Sequence, residues 1–183
     1  MASVLFISAD PGMEGAWAAI DETCRVLSYM KTPRVGGNTG PIDLVAICDW
    51  LRKFDLSSYD KVVMTVEDVH ALFKVSASST GTLMESKGQI EGIMSLYAFA
   101  NEKVSYQMLA PKTWQKEVWT HADKVFKAAK VDTKATSLSC AKKLWPTEKF
   151  LATPKCKVPH DGIVDALLIC EAARRKFNLI NTN

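Results

Sequence analysis

Long apolar runs are missing from this 183-residue chain. No stretch approaches the roughly 20 residues that a membrane-spanning helix needs, and the opening MASVLF has no basic segment leading into an apolar one. No membrane partner is expected, and the chain is expected to stay in the cytoplasm where it is made. Cysteine pairing is missing too: Cys24, Cys48, Cys140, Cys156 and Cys170 are odd in number and scattered, with no CxxC spacing. That argues against both a disulfide framework and a zinc site. There is no internal repeat, low-complexity tract or linker, so one domain over residues 1–183 is expected, with length for a single sizeable core. Strong net charge is absent as well, because +3 does not by itself announce a polyanionic partner.

What is present reads as ordinary globular composition, 48% hydrophobic and 23% charged. The charge is unevenly spread, however. Between Lys103 and Lys157 twelve lysines stand against four acids, a local +8 that leaves the remainder at −5. A basic segment on an acidic body is the footprint of a polyanion-facing surface, although lysine is also the usual residue of a solvated face.

Residues 4–10, 14–21 and 25–32 read as three strands joined by tight turns, an antiparallel meander. PIDLVAICDWLRKF (41–54) has apolar residues at helical spacing behind a proline. KVVMTVEDV (61–69) is a continuous apolar run closed by two acids, the pattern of a strand buried on both faces. A small-residue loop, VSASSTGT, precedes a long helix to about Asn101, then come a strand near 104–109 and a short helix from PKTWQKEVW. Residues 120–133 are polar and lysine-bearing, 134–146 form a helix closed by Pro146, 147–159 a loop, and HDGIVDALLICEAARRKF opens a last helix. The order βββαβαβ followed by helices predicts an α/β fold with a mixed five-stranded sheet flanked by helices.

Asp10 and Glu67 each close an apolar strand, where a buried acid is costly unless compensated. On neighbouring strands their carboxylates sit on the order of 5 Å apart, raising each other's pKa unless a divalent cation lies between them. Asp161 and Asp165, at i and i+4 of the last helix, face the same way. Four acids from three segments make a hard-oxygen site suited to Mg²⁺ or Mn²⁺. The ordinary alternatives are uneven: Asp10 before Pro-Gly is a turn former and Asp161 sits where an N-cap acid belongs, whereas Glu67 neither favours strands nor caps turns well and Asp165 lies inside an apolar helix face. Asp68 is expected on the opposite face from Glu67. His160 reads equally as a proton shuttle or a helix-start residue.

ISADPGMEGAWAAID, VVMTVEDVHA, LAPKTWQKEVW, KATSLSCAKKLWP and VPHDGIVDALLIC occur in the order seen in RuvC-type Holliday-junction resolvases. They are most similar to the shorter-motif branch found in phages, and the blocks span nearly the whole chain. The resemblance implies an RNase H-like fold, a homodimer in a bacterial or phage-infected cell, and metal-dependent nicking of two strands at a four-way junction. Asp10, Glu67, Asp161 and Asp165 are the implied metal ligands and catalytic residues. Two metals about 4 Å apart would activate a water and stabilise the leaving 3′-oxygen. One departure stands out: in many cellular members the partner acid or histidine lies three residues before the last aspartate, and here that place is Gly162.

Lys112 and Lys116 are expected to contact phosphate, with Lys74 beside them in role. Phe73, just beyond Glu67, is expected to stack on an unpaired base or else to be core. The apolar helix from about Thr82 to Phe99, with Gly88 and Gly92 four apart, reads either as packing on the sheet within one chain or as the dimer surface, and the resemblance favours the second. Alternative readings are an RNase H-like exonuclease and a non-catalytic branched-DNA-binding protein. The first is expected to carry a DxE pair where Asp10 is followed by Pro11 and Gly12, and acids facing a polyanion weaken binding unless metal offsets them.

Overall fold

Alternate residues of strand β1, Val4–Asp10, point into two different apolar layers: Val4 and Phe6 into one, Leu5, Ile7 and Ala9 into the other. Strand β4, Lys61–Glu67, does the same with Val63 on one side and Val62, Met64 and Val66 on the other. Strands apolar on both faces belong in the middle of a sheet covered on both sides, and that is where they lie. The computed structural model of the chain describes residues 3–12, 14–37, 40–70 and 76–181. With β2 (Ala16–Asp21), β3 (Val26–Lys31) and β5 (Val104–Leu109), the sheet order is β3-β2-β1-β4-β5. The first three strands are an antiparallel meander, and β4 and β5 run parallel to β1. This is the mixed five-stranded α/β sheet the sequence predicts.

Helices α1 (Leu44–Leu51) and α2 (Ala77–Ala100) cover one face through Ile47, Trp50, Ile90 and Met94. Helices α3 (Pro111–Val118), α4 (Thr133–Leu144) and α5 (Asp161–Asn181) cover the other. Helix α5 is the centrepiece of that layer, with Ile163, Val164 and every residue from Ala166 to Ala173 buried. Its position is pinned by polar contacts inside the apolar layer. The Ser8 hydroxyl donates to the Ala166 carbonyl, and the Cys170 thiol lies 3.1 Å from the Ser8 hydroxyl.

Two expectations are corrected. The small-residue run VSASSTGT is largely helix, because the Ser76 hydroxyl accepts the Ser79 N–H and caps α2, so Ala77 onward form its first turns. The polar run 120–133 is not plain loop. It holds a 3₁₀ turn, His121–Asp123, and a two-stranded hairpin of β6 (Phe126–Lys127) and β7 (Lys130–Val131). Asp132 then caps α4 by accepting the Ala135 N–H at 3.1 Å. Among the described residues no helix is long and apolar enough to cross a membrane.

Candidate metal and nucleic-acid site

The parallel pairing of β1 and β4 runs to Ala9 opposite Val66, so Asp10 and Glu67 end their strands side by side. Both are in step with residues of the α5 face, Asp10 with Phe6 and Ser8, Glu67 with Val63. Asp165 arrives from α5, one residue before the carbonyl that Ser8 grips. Close approach there depends on glycine: a Cβ on Gly162 would lie 2.1 Å from the Glu14 carbonyl oxygen of the β1–β2 turn. No acid or histidine can occupy that position while α5 sits this near, which explains the departure seen in the sequence.

These three acids share an unusual electrostatic state. Asp10 is pushed up to about 7 by burial and then by Glu67, against a stabilising Gly12 N–H at 3.0 Å. Glu67 is pushed up to about 7 by burial, opposed by the Trp114 indole N–H at 2.7 Å and raised further by Asp165. Burial also pushes Asp165 to about 7, with the Ser137 hydroxyl opposing and Asp10 adding to it. One Asp165 oxygen, Oδ1, is buried and accepts no hydrogen bond among the described residues. Acids withdrawn from water normally have a paired cation or several donors, and among the described residues these have one indole, one amide and one hydroxyl, with Lys134 acting on Asp165 through its charge alone.

Asp161 is held apart from this trio. It is exposed at the rim, ion-paired to Lys134 Nζ at 2.6 Å. His160 Nε2 lies 3.4 Å from Glu14 Oε2, and Glu14 is paired with Lys31 at 2.6 Å. An open cleft of about 330 Å³ runs between these groups, lined by Asp10, Glu14, Lys134, His160, Asp161 and Asp165. Glu67 is not among its lining residues. Asp68 lies on the opposite face as expected, paired with Lys87 of α2.

Lys112 and Lys116 are exposed one turn apart on α3, the helix whose Trp114 holds Glu67. Phe73 and Lys74 lie outside the described residues. Glu14, Trp114, Lys134 and Ser137 were not singled out in the sequence. Tryptophan at helical spacing reads as core, and Trp114 is indeed only 1% exposed. Its role is visible only once its N–H is seen to point at Glu67. Lys134 is one lysine among twelve until α4 brings it to Asp161.

The donor chemistry fits a hard divalent cation: carboxylate oxygens, one of them buried and without a hydrogen bond among the described residues, beside a lysine, Lys134, that is ion-paired to Asp161 rather than to the trio. Among the described residues, no group of three or more His, Cys, Asp and Glu side chains is arranged to hold a metal ion as it stands. The fit lies in the donor set and its charge rather than in a finished cage.

No protein-family model and no curated protein matches the chain by sequence. Solved structures do match in three dimensions. Thermus thermophilus RuvC in complex with a Holliday junction substrate superposes with a TM-score of 0.54 at 12% identity, over 94% of this chain and 96% of that one. A further Thermus thermophilus RuvC structure gives 0.53 at 14% identity, over 95% and 96%. The chain has the RuvC-like, RNase H-like fold.

Proposed function

We propose that this chain, acting as one domain over residues 1–183, is a metal-dependent endonuclease that resolves four-way DNA junctions by paired nicks. The observation that carries the reading is the trio Asp10, Glu67 and Asp165, each half-buried, pushed up to about 7 and, among the described residues, ion-paired to no basic side chain. It occurs on a fold shared with RuvC, itself captured on a Holliday junction. Asp10, Glu67 and Asp165 would hold Mg²⁺, with Mn²⁺ as a substitute, and Asp161 would join them if it left Lys134. A bound divalent cation supplies Lewis acidity and a water nucleophilic at neutral pH.

The rest is done by the chain's own groups. Trp114 fixes the Glu67 carboxylate by its indole N–H, and the Ser8–Ala166 contact fixes the approach of α5. Lys134 at the cleft rim offers an ammonium to a phosphate flanking the cut, while Lys112 and Lys116 take phosphates further along the strand. Paired nicks need two centres, so a twofold homodimer matches the junction's own symmetry. Helix α2 supports that: its outer face has open space at Gly88 and Gly92 and exposes Leu96 (67%) and Phe99 (92%).

The test is to incubate purified protein with a synthetic four-way junction, a linear duplex and an RNA–DNA hybrid, each with and without Mg²⁺. Metal-dependent paired nicks in the junction alone are expected. Digestion of the linear duplex from its ends would instead make the protein an exonuclease, and metal-independent binding without cutting would make it an architectural factor. Light scattering is expected to give about twice the 20.2 kDa chain mass.

A further inference from the structure

The β6–β7 hairpin is built against its own stability. Its strands have two residues each and, among the described residues, no third strand beside them, and an isolated two-stranded ribbon is marginal in water. Both turn residues, Ala128 (φ 48) and Ala129 (φ 61), lie in the left-handed region, where such a turn favours Asn and Gly and a Cβ is strained. Lys127 and Lys130 stand directly opposite each other across the ribbon. Facing like charges repel, and among the described residues neither lysine makes an ion pair. On the other face Phe126 pairs with Val131, and they are 59% and 37% exposed.

The base of the ribbon, by contrast, is firmly held. The Asp132 N–H donates to the Val125 carbonyl at 2.8 Å, and the Val125 N–H donates to the Thr136 hydroxyl at 3.0 Å. Asp123 just upstream is buried, accepting from Thr120 and paired with Lys143. Asp132 opens α4, and two residues later Lys134 reaches Asp161 on the cleft rim. A strained ribbon with a cationic face and an apolar face therefore stands on a rigid base beside the acid cleft.

Such a ribbon becomes favourable when an anion sits between the facing lysines. We propose that residues 125–131 form a DNA clamp, a proposal that rests on the nuclease reading above. Lys127 and Lys130 take one backbone phosphate between them, and Phe126, backed by Val131, stacks on a base unpaired at the junction. The occupant is a DNA strand because the ribbon lies within the Lys103–Lys157 segment, whose +8 charge complements a polyanion, and because a phosphate flanked by an exposed base fits both faces at once.

The test is fluorescence anisotropy on the full chain without divalent metal, so that no strand is cut. Labelled four-way junction, single strand and linear duplex are titrated over roughly 50–200 mM salt. The double variant Lys127→Gln, Lys130→Gln is expected to weaken junction binding and to reduce the slope of log affinity against log salt by about 1 to 2. Phe126→Ala is expected to weaken junction and single-strand binding by about 5- to 100-fold while leaving duplex binding and the salt slope unchanged. Ala128→Asn with Ala129→Gly relieves the turn and is expected to raise the melting temperature and tighten junction binding together. If wild type binds the junction and the lysine double variant shows the same affinity and slope, the clamp is overturned. A relieved turn that raises the melting temperature with no gain in affinity overturns it too. If wild type binds none of the three DNAs, the nuclease reading itself fails and takes the clamp with it.

Discussion

Glu67 and Asp68 are neighbours in sequence, face opposite sides of the sheet, and meet opposite surroundings. Asp68 has Lys87 Nζ at 2.6 Å and His70 Nε2 at 3.4 Å, and the Lys87 bond holds its carboxyl below the usual range. Lys87 also lies 3.4 Å from Glu91, so that face closes its own charge. Among the described residues the Glu67 carboxylate has one hydrogen-bond partner, a neutral indole, and burial pushes it up to about 7. The fold gives a cation to the acid that serves packing and withholds one from the acid at the strand end beside Asp10. An acid left uncompensated by its own chain is prepared to receive charge from outside, and that separates a working carboxylate from a structural one.

The comparison breaks most visibly in cleavage. Asp10→Asn keeps the volume and removes the charge, and single-turnover cutting of a junction in Mg²⁺ is expected to fall by at least about 100-fold. Lys87→Met, which strips the cation from the opposite face, is expected to leave the rate within about twofold. Equal losses in the two variants would erase the distinction between the faces. A smaller effect isolates the indole. Trp114→Phe keeps most of the buried ring and deletes the donor to Glu67, so the Mg²⁺ concentration for half-maximal cleavage is expected to rise about 10-fold, with the rate at saturating metal largely recovered.

Stability against pH sharpens the contrast further. Asp10, Glu67 and Asp165 are each raised to about 7, against about 4 in an unfolded chain. The folded protein therefore binds more protons than the unfolded one between these values, and stability falls as pH rises from about 4 to about 7. The metal-free protein is expected to lose on the order of a few kcal/mol across that window. Mg²⁺ is expected to restore it at pH 8 and to do nothing at pH 4, read from melting curves at both pH values. A metal-free stability that climbs between pH 4 and 7 would mean the trio is compensated after all.

Much of this was legible in the residues alone. A run such as VVMTVE can only be a doubly covered strand, and β1 and β4 turned out to be neighbours, so the meeting of Asp10 and Glu67 followed from pattern and pleat. The i, i+4 spacing of Asp161 and Asp165 put both near the cleft, but burial separates them: Asp165 lies one turn in against β1, whereas Asp161 stays at the exposed first residue and finds Lys134. That pairing joins two helices 27 positions apart in sequence, which no local pattern encodes. The hairpin escaped for a different reason. Its turn is Ala-Ala rather than a Gly or Asn signal, and its strands are too short to show alternation.

The smallest expected effect is one of sign. At pH 8 without metal, Asp10 is ionised against the pull of its surroundings, so Asp10→Asn should stabilise the fold, by on the order of 1–2 kcal/mol once partial solvent access is allowed for. The asparagine Oδ1 still accepts the Gly12 N–H, so nothing else is lost. Asp68→Asn removes the partner of Lys87 and leaves that ammonium, only 13% exposed, with Glu91 alone. It should destabilise by up to about 1 kcal/mol, since a partly exposed pair is worth little more. For a chain of this size 1 kcal/mol moves the melting temperature by about 2–4 °C, so the two variants should diverge to opposite sides of wild type. At pH 4, where Asp10 is already protonated in the fold, the gain from Asp10→Asn should vanish while the loss from Asp68→Asn shrinks only as Asp68 itself is protonated. Two acids of the same chain whose removal shifts stability in the same direction at pH 8 would show that the faces of the sheet do not treat charge differently.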